Sequence, residues 1–177
     1  MGKPKVERVV LVDSQGVEIG TAEKMDAHRY AQIHRAFSVF VFNGAGEMLL
    51  QRRASGKYHS PGRWSNACCG HPRPGEDPLD GARRRLREEM GLDCALTEAL
   101  RFTYRADVGS DLVEHEYDHV FTGLSDAVPM PDVMEADAWC WLAVEEVLKS
   151  VESQPSRYTA WLAIAMHEML NHGILER

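Results

Sequence analysis

The sequence predicts an α+β fold, an α/β/α sandwich in which helices flank a mixed β-sheet. Short apolar runs of strand composition are separated by turn residues and interspersed with about three helical segments. The 177 residues suit one domain with a full core, so we expect a single domain over residues 1–177. No apolar run reaches the ~20 residues that a transmembrane helix needs, so we expect no membrane partner.

The N-terminal half is predicted to carry most of the strands. They are, in order, Val9–Val12, Ala36–Phe42, Met48–Arg53 and Trp64–Cys69. Asp13-Ser14-Gln15-Gly16 has a turn composition, and Asn43-Gly44-Ala45-Gly46 predicts a hairpin between the second strand and the third. Thr21–Ile33 is mostly polar and is predicted as a helix or an irregular segment. Ser55–Arg63 is rich in Gly, Ser and Pro and is predicted as a loop.

A helix is predicted to begin at Asp77-Pro78 and to end at Gly91. Asp is favoured at the N-cap, Pro at the first helical position, and Gly just after the last one. Between them, apolar residues recur at helical spacing and predict the face that packs on the core. These residues are Leu79, Ala82, Leu86 and Met90.

The C-terminal half adds three predicted strands and two predicted helices. The strands are Arg101–Ala106, Val113–Phe121 and Ala138–Leu142. Gly109-Ser110 marks the turn between the first two, and Pro129-Met130-Pro131 marks a loop before the third. Helices are predicted near Val144–Val151 and over Tyr158–His172. The predicted core face of the last helix is Trp161, Leu162, Ala165 and Met169.

The charge pattern favours a small anionic ligand and argues against a nucleic-acid partner. The net charge is −7, whereas nucleic-acid binding needs a basic face. Between residues 51 and 87, however, nine Lys or Arg residues stand against three acids. Such a patch attracts phosphate while the overall charge repels nucleic acid. For any one of these cations, a solvated surface position remains the simpler interpretation.

The cysteine pattern predicts free thiols. The four cysteines are Cys68, Cys69, Cys94 and Cys140. Two of them are adjacent, which is a poor start for a disulfide framework. Free thiols in a reducing cytosol are the simpler interpretation, so we expect a cytoplasmic protein.

The stretch from Gly70 to Leu92 resembles the Nudix box, the loop–helix motif G-x5-E-x7-R-E-U-x-E-E-x-G-U in which U is aliphatic. The spacing is kept throughout, and one position departs, since Arg85 stands where the motif has Glu. In Nudix hydrolases the Glu cluster holds the divalent metals that activate water against a diphosphate. A guanidinium instead binds phosphate oxygens with two donors. The sequence therefore predicts a Nudix-like fold that holds a diphosphate without cleaving it.

Four further motifs resemble those of type I isopentenyl diphosphate isomerases, a family with a Nudix fold. They are Cys69-Gly70-His71-Pro72, Glu114-His115-Glu116, Tyr104-Arg105-Ala106, and Arg52-Arg53-Ala54 followed by Lys57. The similarity runs from about Val9 to Trp161. It implies an isomerase of isoprenoid biosynthesis that interconverts isopentenyl and dimethylallyl diphosphate. The implied reaction is a 1,3-allylic proton shift through a carbocation.

The resemblance also implies two metal sites. The first falls on His28, His34, His71, Glu114 and Glu116. Glu114 and Glu116 are two apart on a predicted strand and so share a face. This donor set suits Mn²⁺ or Zn²⁺, and Mg²⁺ is tolerable. The second implied site is a Mg²⁺ bound with the diphosphate by Glu89 and the carbonyl oxygen of Cys69. Taken alone, any one of these histidines would more often be a surface or a satisfied core residue.

The family's catalytic residues fall on Cys69 and Glu116, with Tyr104 aiming Glu116 and Trp161 facing the cation. In the family, Glu116 with Tyr104 supplies a proton and the Cys69 thiolate removes one, and these roles reverse with direction. Acid and base must flank the substrate. Strand neighbours point to opposite faces, so Cys68 is predicted to be a small buried hydrophobe. Core packing remains an alternative for Tyr104 and Trp161.

The implied diphosphate contacts are Lys24, Arg53, Lys57 and Arg85. For Arg85 the alternative is a surface ion pair with Glu89, four residues along the helix. Two other functions stay open. One is a Nudix hydrolase that cleaves a diphosphate-linked substrate, against which Arg85 and the Cys69–Glu116 pair argue. The other is a non-catalytic Nudix-fold binding module. A monomer or a weak dimer is expected.

Overall fold

Nine strands of one mixed sheet and four helices make up residues 6–176, which the computed structural model describes. The strands are β1 (Arg8–Val12), β2 (Glu18–Glu23), β3 (His34–Phe42), β4 (Glu47–Arg53), β5 (Trp64–Asn66), β6 (Cys68–Gly70), β7 (Leu96–Gly109), β8 (Leu112–Leu124) and β9 (Ala136–Ala143). The helices are α1 (Lys24–Arg29), α2 (Pro78–Met90), α3 (Val144–Ser153) and α4 (Ala160–Asn171), with a short 3-10 helix at Pro155–Arg157. The ends of the predicted 1–177 domain, residues 1–5 and 177, lie outside the described residues. Within residues 6–176, no helix has the length and apolar character to cross a membrane.

Strand β3 is the centre of the sheet. It pairs in parallel with β8 along its whole length, with His34 opposite Glu116. On its other edge it pairs antiparallel with β6, where Ser38 lies opposite Cys69. Strand β7 extends the sheet beyond β8, whereas β5 and β9 pair with β4, which meets β3 at a single residue pair. Because β6 and β8 flank one strand, their side chains can meet over the same face.

Alternate residues of β3 enter two separate cores, and this produces the three layers. Phe37, Val39 and Val41 pack with α2, whereas Phe40 packs on the other face with α3 and α4. The period of two along a strand causes this separation. The buried apolar side chains of these helices include Ala82, Leu86 and Met90 of α2 and Trp161, Leu162, Ala165, Met166 and Met169 of α4. The predicted α/β/α sandwich and both predicted helix faces are confirmed.

The polar segment predicted as a helix or an irregular stretch divides into two elements. Strand β2 pairs antiparallel with β1 and ends at Glu23, and the six-residue helix α1 follows it. The chain then bends at Ala31, whose φ is +48°, before His34 begins β3. The pattern did not predict β2 because its residues lack the alternation of apolar and polar side chains that marks a half-buried strand.

Of two other predictions, one needs correction and one is confirmed. The strand predicted over Trp64–Cys69 is broken at Ala67 into β5, which pairs with β4, and β6, which pairs with β3. The turn at Asn43–Gly46 is confirmed, since Asn43 Oδ1 accepts hydrogen bonds from the backbone N–H groups of Ala45 and Glu47 at 3.0 and 2.9 Å. After this turn β3 and β4 diverge, because β3 takes β6 and β8 as its main partners.

Helix α2 begins with a side-chain cap, as predicted. Asp77 Oδ1 accepts a hydrogen bond from the backbone N–H of Leu79 at 2.9 Å, and Gly91 ends the helix with a φ of +63°. Replacing Asp77 by Ala should lower the free energy of unfolding by about 1 kcal/mol and the melting temperature by about 2–4 °C. Thermal denaturation followed by circular dichroism would measure this. Glu152→Ala, a surface change on α3, should stay within about 0.5 kcal/mol; equal effects would contradict the cap.

Candidate active site

A cavity of about 690 Å³ gathers most of the residues that the sequence singled out. Eleven of the thirteen predicted site residues line it. They are Lys24, Arg53, Lys57, Cys69, His71, Arg85, Glu89, Tyr104, Glu114, Glu116 and Trp161. The other two, His28 and His34, are fully buried and pack against the ring of His71, edge-on and tilted respectively. The structure therefore brings all thirteen into one region.

Strand register aligns three of these residues in one row. Tyr104 of β7 lies opposite Glu116 of β8, and Glu116 lies opposite His34 of β3. Paired residues on neighbouring strands present their side chains to the same face. The Tyr104 hydroxyl donates to Glu116 Oε2 at 2.7 Å, while Glu116 Oε1 lies 2.8 Å from His71 Nε2 and 3.5 Å from His34 Nε2. Glu116 therefore connects Tyr104 to His34 and His71.

Three imidazoles and one carboxylate form a group whose chemistry fits a divalent metal ion. His28, His34, His71 and Glu116 each offer one ligand atom, and these atoms lie within 4.8 Å of one another. His28 Nδ1 donates to the Lys24 carbonyl at 2.7 Å and His34 Nδ1 to the Gln32 carbonyl at 2.8 Å, so both rings turn Nε2 inward. Among the described atoms, His28 Nε2 has no hydrogen-bond partner. Burial lowers the pKa of His71 to about 4, which leaves that ring neutral as ligation requires.

Glu114 lies beside this group on the same face of β8. Its Oε2 is 2.9 Å from the Tyr104 hydroxyl oxygen, and its Oε1 is 3.7 Å from His59 Nε2. Burial and the charge of Glu116 raise the pKa of Glu114 well above its usual range. Burial also raises the pKa of Glu116, but hydrogen bonds from His34 and His71 outweigh it and hold that pKa well below its usual range. The role of Glu114 as a fifth metal ligand stays a prediction.

The two adjacent cysteines face opposite sides of the sheet, as the strand alternation predicts. Cys68 is fully buried in the core under α2, whereas Cys69 lines the cavity. The Cys69 thiol donates to Asn66 Oδ1 at 3.1 Å, and Ser38 Oγ lies 3.6 Å from the sulfur. Burial and the charge of Asp118 raise the pKa of Cys69 well above its ordinary value, so the thiol retains its proton. All four cysteines are free.

Asp118 is a buried carboxyl that the sequence analysis missed. It follows Glu114 and Glu116 along β8 at the same spacing of two, so alternation alone could have placed it on this face. Its Oδ2 accepts a hydrogen bond from Ser38 Oγ at 2.7 Å. Burial and the charge of Glu116 raise its pKa to about 8. Ser38 Oγ lies between this carboxyl and the Cys69 sulfur and so links the two groups.

Cations and carboxylates alternate at the end of the cavity beside α2. Arg85 Nη2 lies 2.8 Å from Glu89 Oε1 and 3.1 Å from Glu135 Oε1, and Lys57 also pairs with Glu135. Gln51 Nε2 donates to Glu89 Oε2 at 2.9 Å. The Arg85–Glu89 contact considered from the sequence is therefore present. Glu135 was missed because it stands alone before β9, in a segment without a motif.

Lys24 reaches the same cavity from the start of α1. Its ammonium lies 3.1 Å from Glu7 Oε2 and 5.4 Å from the centroid of the Tyr58 ring. Burial lowers the pKa of Lys24, but Tyr58 and Glu7 outweigh it and raise the pKa, so the side chain stays charged. Lys24, Lys57 and Arg85 thus carry carboxylate partners that an anionic ligand could replace.

The indole ring of Trp161 contacts neighbouring side chains through both its edge and its face. Its Nε1 donates to Ser65 Oγ at 2.9 Å, and the Arg53 guanidinium carbon lies 5.1 Å from the ring centroid. The ring of His59 meets it edge-on, at 5.5 Å between centroids and 82° between planes. Burial and Arg53 lower the pKa of His59 to about 3, so this imidazole is neutral. His59 was missed because it lies in a loop with no recognisable spacing to the other residues.

The chain matches the NUDIX domain family over residues 32–162, a stretch that begins just before β3 and ends in α4. The crystal structure of DR0079 from Deinococcus radiodurans is similar, with a TM-score of 0.77 at 22% identity, covering 92% of this chain and 98% of that one. MutT protein from Methanosarcina mazei gives a TM-score of 0.66 at 19% identity, covering 80% and 95%. The fold and the site together define a Nudix-domain protein.

Sequence relatives define the family within that fold. Isopentenyl-diphosphate Delta-isomerase 2 of Aromatoleum aromaticum is 49% identical over 165 residues, covering 93% of this chain and 87% of the relative. Isopentenyl-diphosphate Delta-isomerase of Burkholderia multivorans is 50% identical over 155 residues, covering 88% of each chain. Isopentenyl-diphosphate Delta-isomerase of Halorhodospira halophila is 47% identical over 166 residues, covering 92% of this chain and 95% of the relative. This chain belongs to the isopentenyl-diphosphate Delta-isomerase family, which confirms the resemblance found in the sequence.

Proposed function

We propose that this protein interconverts isopentenyl diphosphate and dimethylallyl diphosphate by a 1,3-allylic proton shift. The observation that carries the proposal is that Cys69 and Glu116 line one cavity from strands on opposite sides of β3. The reaction adds a proton at one carbon and removes another proton two carbons away. Two proton-carrying groups must therefore reach the substrate from different directions. Membership of the isomerase family supports the same substrate.

Cys69 and Glu116 share one mobile proton. In one direction, one of these two groups protonates the terminal alkene carbon, which gives a tertiary carbocation. The other group then removes a proton from C2, which forms the new double bond. Each turnover thus moves one proton from one group to the other. Exchange with solvent after the product leaves returns the proton before the next turnover, and the two roles exchange in the reverse direction. The raised pKa of Cys69 and the lowered pKa of Glu116 favour a resting thiol and carboxylate. Tyr104, bonded to Glu116 Oε2, fixes the direction in which that carboxylate points.

The reacting carbons need a dry site with a partner for the carbocation. An alkene is a very weak base, and the burial of Tyr104 and Glu116 keeps water away from the proton transfer. The indole of Trp161 lies at this cavity, and a desolvated cation over an aromatic face gains about 2 kcal/mol or more. Arg53 now lies against that ring. Its movement onto the diphosphate would leave the indole to the carbocation.

His28, His34, His71 and Glu116, with Glu114 beside them, would hold a divalent metal ion, for which Mn²⁺, Zn²⁺ and Mg²⁺ are the candidates. When bound, such an ion supplies positive charge that keeps Glu116 ionised and fixed. Lys24, Arg53, Lys57 and Arg85 would bind the diphosphate, and Glu89 with the carbonyl oxygen of Cys69 would hold its Mg²⁺. A cation at position 85 in place of a carboxylate accounts for binding the diphosphate without hydrolysing it.

Proton NMR of isopentenyl diphosphate incubated with the protein and with Mg²⁺ and Mn²⁺ would test the activity. We expect the methyl signals of dimethylallyl diphosphate to appear and to stop growing at an equilibrium ratio that is the same from either substrate. A chelated sample serves as the control. Release of phosphate with no new methyl signals would support a Nudix hydrolase instead. Binding without any reaction would support a non-catalytic module.

The protein is proposed to act as one domain over residues 1–177, in the cytoplasm, as a monomer or a weak dimer. The cavity uses residues from Val6 to Trp161, which span nearly the whole chain and support a single unit. The four free cysteines agree with a reducing compartment. Light scattering coupled to size-exclusion chromatography would test the expected oligomeric state.

A further inference from the structure

We propose that Asn66 and Ser65 are positioning residues, which hold the Cys69 thiol and the Trp161 indole in one fixed arrangement. This inference rests on the proposed function, in which both side chains face the reacting hydrocarbon. A continuous path of hydrogen bonds joins them. It runs from Trp161 Nε1 to Ser65 Oγ at 2.9 Å, from there to Asn66 Oδ1 at 3.1 Å, and on to Cys69 Sγ at 3.1 Å. Ser65 and Asn66 are 2% and 0% exposed, so water cannot replace these contacts.

The orientation of the Asn66 amide is fixed from its other end. Its Nδ2 donates to the backbone carbonyls of Val39 at 3.0 Å and Cys68 at 2.9 Å. A carbonyl can only accept, so both amide hydrogens are used and the atom facing Cys69 must be the amide oxygen. One carbonyl belongs to β3 and the other to β6, the strand that follows the break at Ala67. The amide is therefore anchored to the strands that build the cavity.

Asn66 also determines where the Cys69 sulfur sits. The sulfur has two side-chain hydrogen-bonding neighbours, Asn66 Oδ1 at 3.1 Å and Ser38 Oγ at 3.6 Å. Ser38 gives its own hydrogen to Asp118 at 2.7 Å, so it faces the thiol as an acceptor. The thiol hydrogen consequently goes to the nearer acceptor, Asn66. This contact ties the sulfur to an amide that is itself anchored to β3 and β6.

Ser65 extends this arrangement to the aromatic residue. An indole N–H can only donate, so Ser65 Oγ accepts from Trp161 and gives its single hydrogen to Asn66 Oδ1. Thr159 Oγ1, 3.1 Å away, supplies the remaining bond to Ser65. Each buried group in the path has a partner of the opposite kind. Moving one member therefore leaves another unsatisfied, and this couples the position of the indole to that of the thiol.

Ser65→Ala is the sharpest test, because it removes the link while leaving both N–H bonds of Asn66 in place. We expect kcat for isomerisation to fall about tenfold, because small displacements of reacting groups are costly, with KM within about twofold, because no diphosphate contact changes. Ser65→Thr keeps the hydroxyl and should recover about half or more of the rate. The indole N–H resonance of Trp161 should move upfield in Ser65→Ala and stay near its original position in Ser65→Thr. Ser153→Ala, on exposed α3, is the matched control.

Asn66→Ala should lower kcat about 100-fold, and its melting temperature shows how much of that loss is unfolding. A Ser65→Ala variant with unchanged kcat and an unmoved indole resonance would overturn the positioning role, even if the unmodified protein isomerises normally. Equal losses in Ser65→Ala and Ser65→Thr would assign the effect to packing and would also overturn it. An unmodified protein without isomerase activity would overturn the proposed function and this role together.

Discussion

The Cys69→Ala variant should isomerise isopentenyl diphosphate about 10²–10⁴-fold more slowly than the unmodified protein, which is the usual worth of a positioned acid or base. The thiol carries the proton on the β6 side of the cavity, and alanine cannot carry one. Binding of the diphosphate should change little, since Lys24, Lys57 and Arg85 keep their positions. Proton NMR gives the rate, and isothermal titration calorimetry gives the affinity for the substrate.

Cys68→Ala is the matched control, because it makes the same chemical change one residue earlier on the same strand. Cys68 is fully buried in the core under α2, so its loss should reduce the free energy of unfolding by about 1 kcal/mol. Its isomerisation rate should stay within about twofold of the unmodified protein. Comparable rate losses in the two variants would contradict the assignment of opposite faces to Cys68 and Cys69.

Much of this site could be predicted because local rules decide where its side chains point. Alternation along a strand separates Cys68 from Cys69 and brings Glu114 and Glu116 to one face. The cap at Asp77 and the glycine at Gly91 fix the ends of α2. The resemblance then selected which of these residues to group together, and the structure brings them to one cavity.

The residues that were missed act through contacts that no local rule describes. Asn66 reaches Cys69 because the strand breaks at Ala67, and a break of one residue carries no sequence signal here. Glu135 meets Lys57 across 78 positions of the chain, and only the folded sheet brings them together. Asp118 is the exception, since its spacing of two from Glu116 would have identified it.

Arg85 illustrates how one substitution changes the character of a Nudix box. Its guanidinium lies between the carboxylates of Glu89 and Glu135, with Nη2 within 3.1 Å of both. A Glu at this position would add a third negative charge to the same space, and such a cluster needs metal ions to offset its repulsion. With Arg85, the charge is balanced inside the protein. The cation also remains available for a diphosphate that displaces these carboxylates.

The second large effect is expected from Glu116→Gln, which keeps the shape of the side chain and removes its charge. Glu116 is at once a member of the metal-binding group and a proposed proton carrier, so we expect isomerisation to fall by about 10²–10⁴-fold or more. Affinity for Mn²⁺ should also fall, by at least about 10–100-fold, since even a lost outer partner of a metal ligand has that effect. Calorimetric titration with Mn²⁺ measures this without reference to activity.

Glu98→Gln provides the control for that variant. Glu98 is also a carboxylate paired with a histidine, since its Oε1 lies 2.6 Å from His119 Nδ1, but neither residue lines the cavity. Its substitution should leave both the rate and Mn²⁺ binding unchanged. If Glu116→Gln lost activity but bound Mn²⁺ as tightly as the unmodified protein, Glu116 would act on the proton alone. The metal would then depend on the histidines, whose inward Nε2 atoms are fixed by the carbonyls of Lys24 and Gln32.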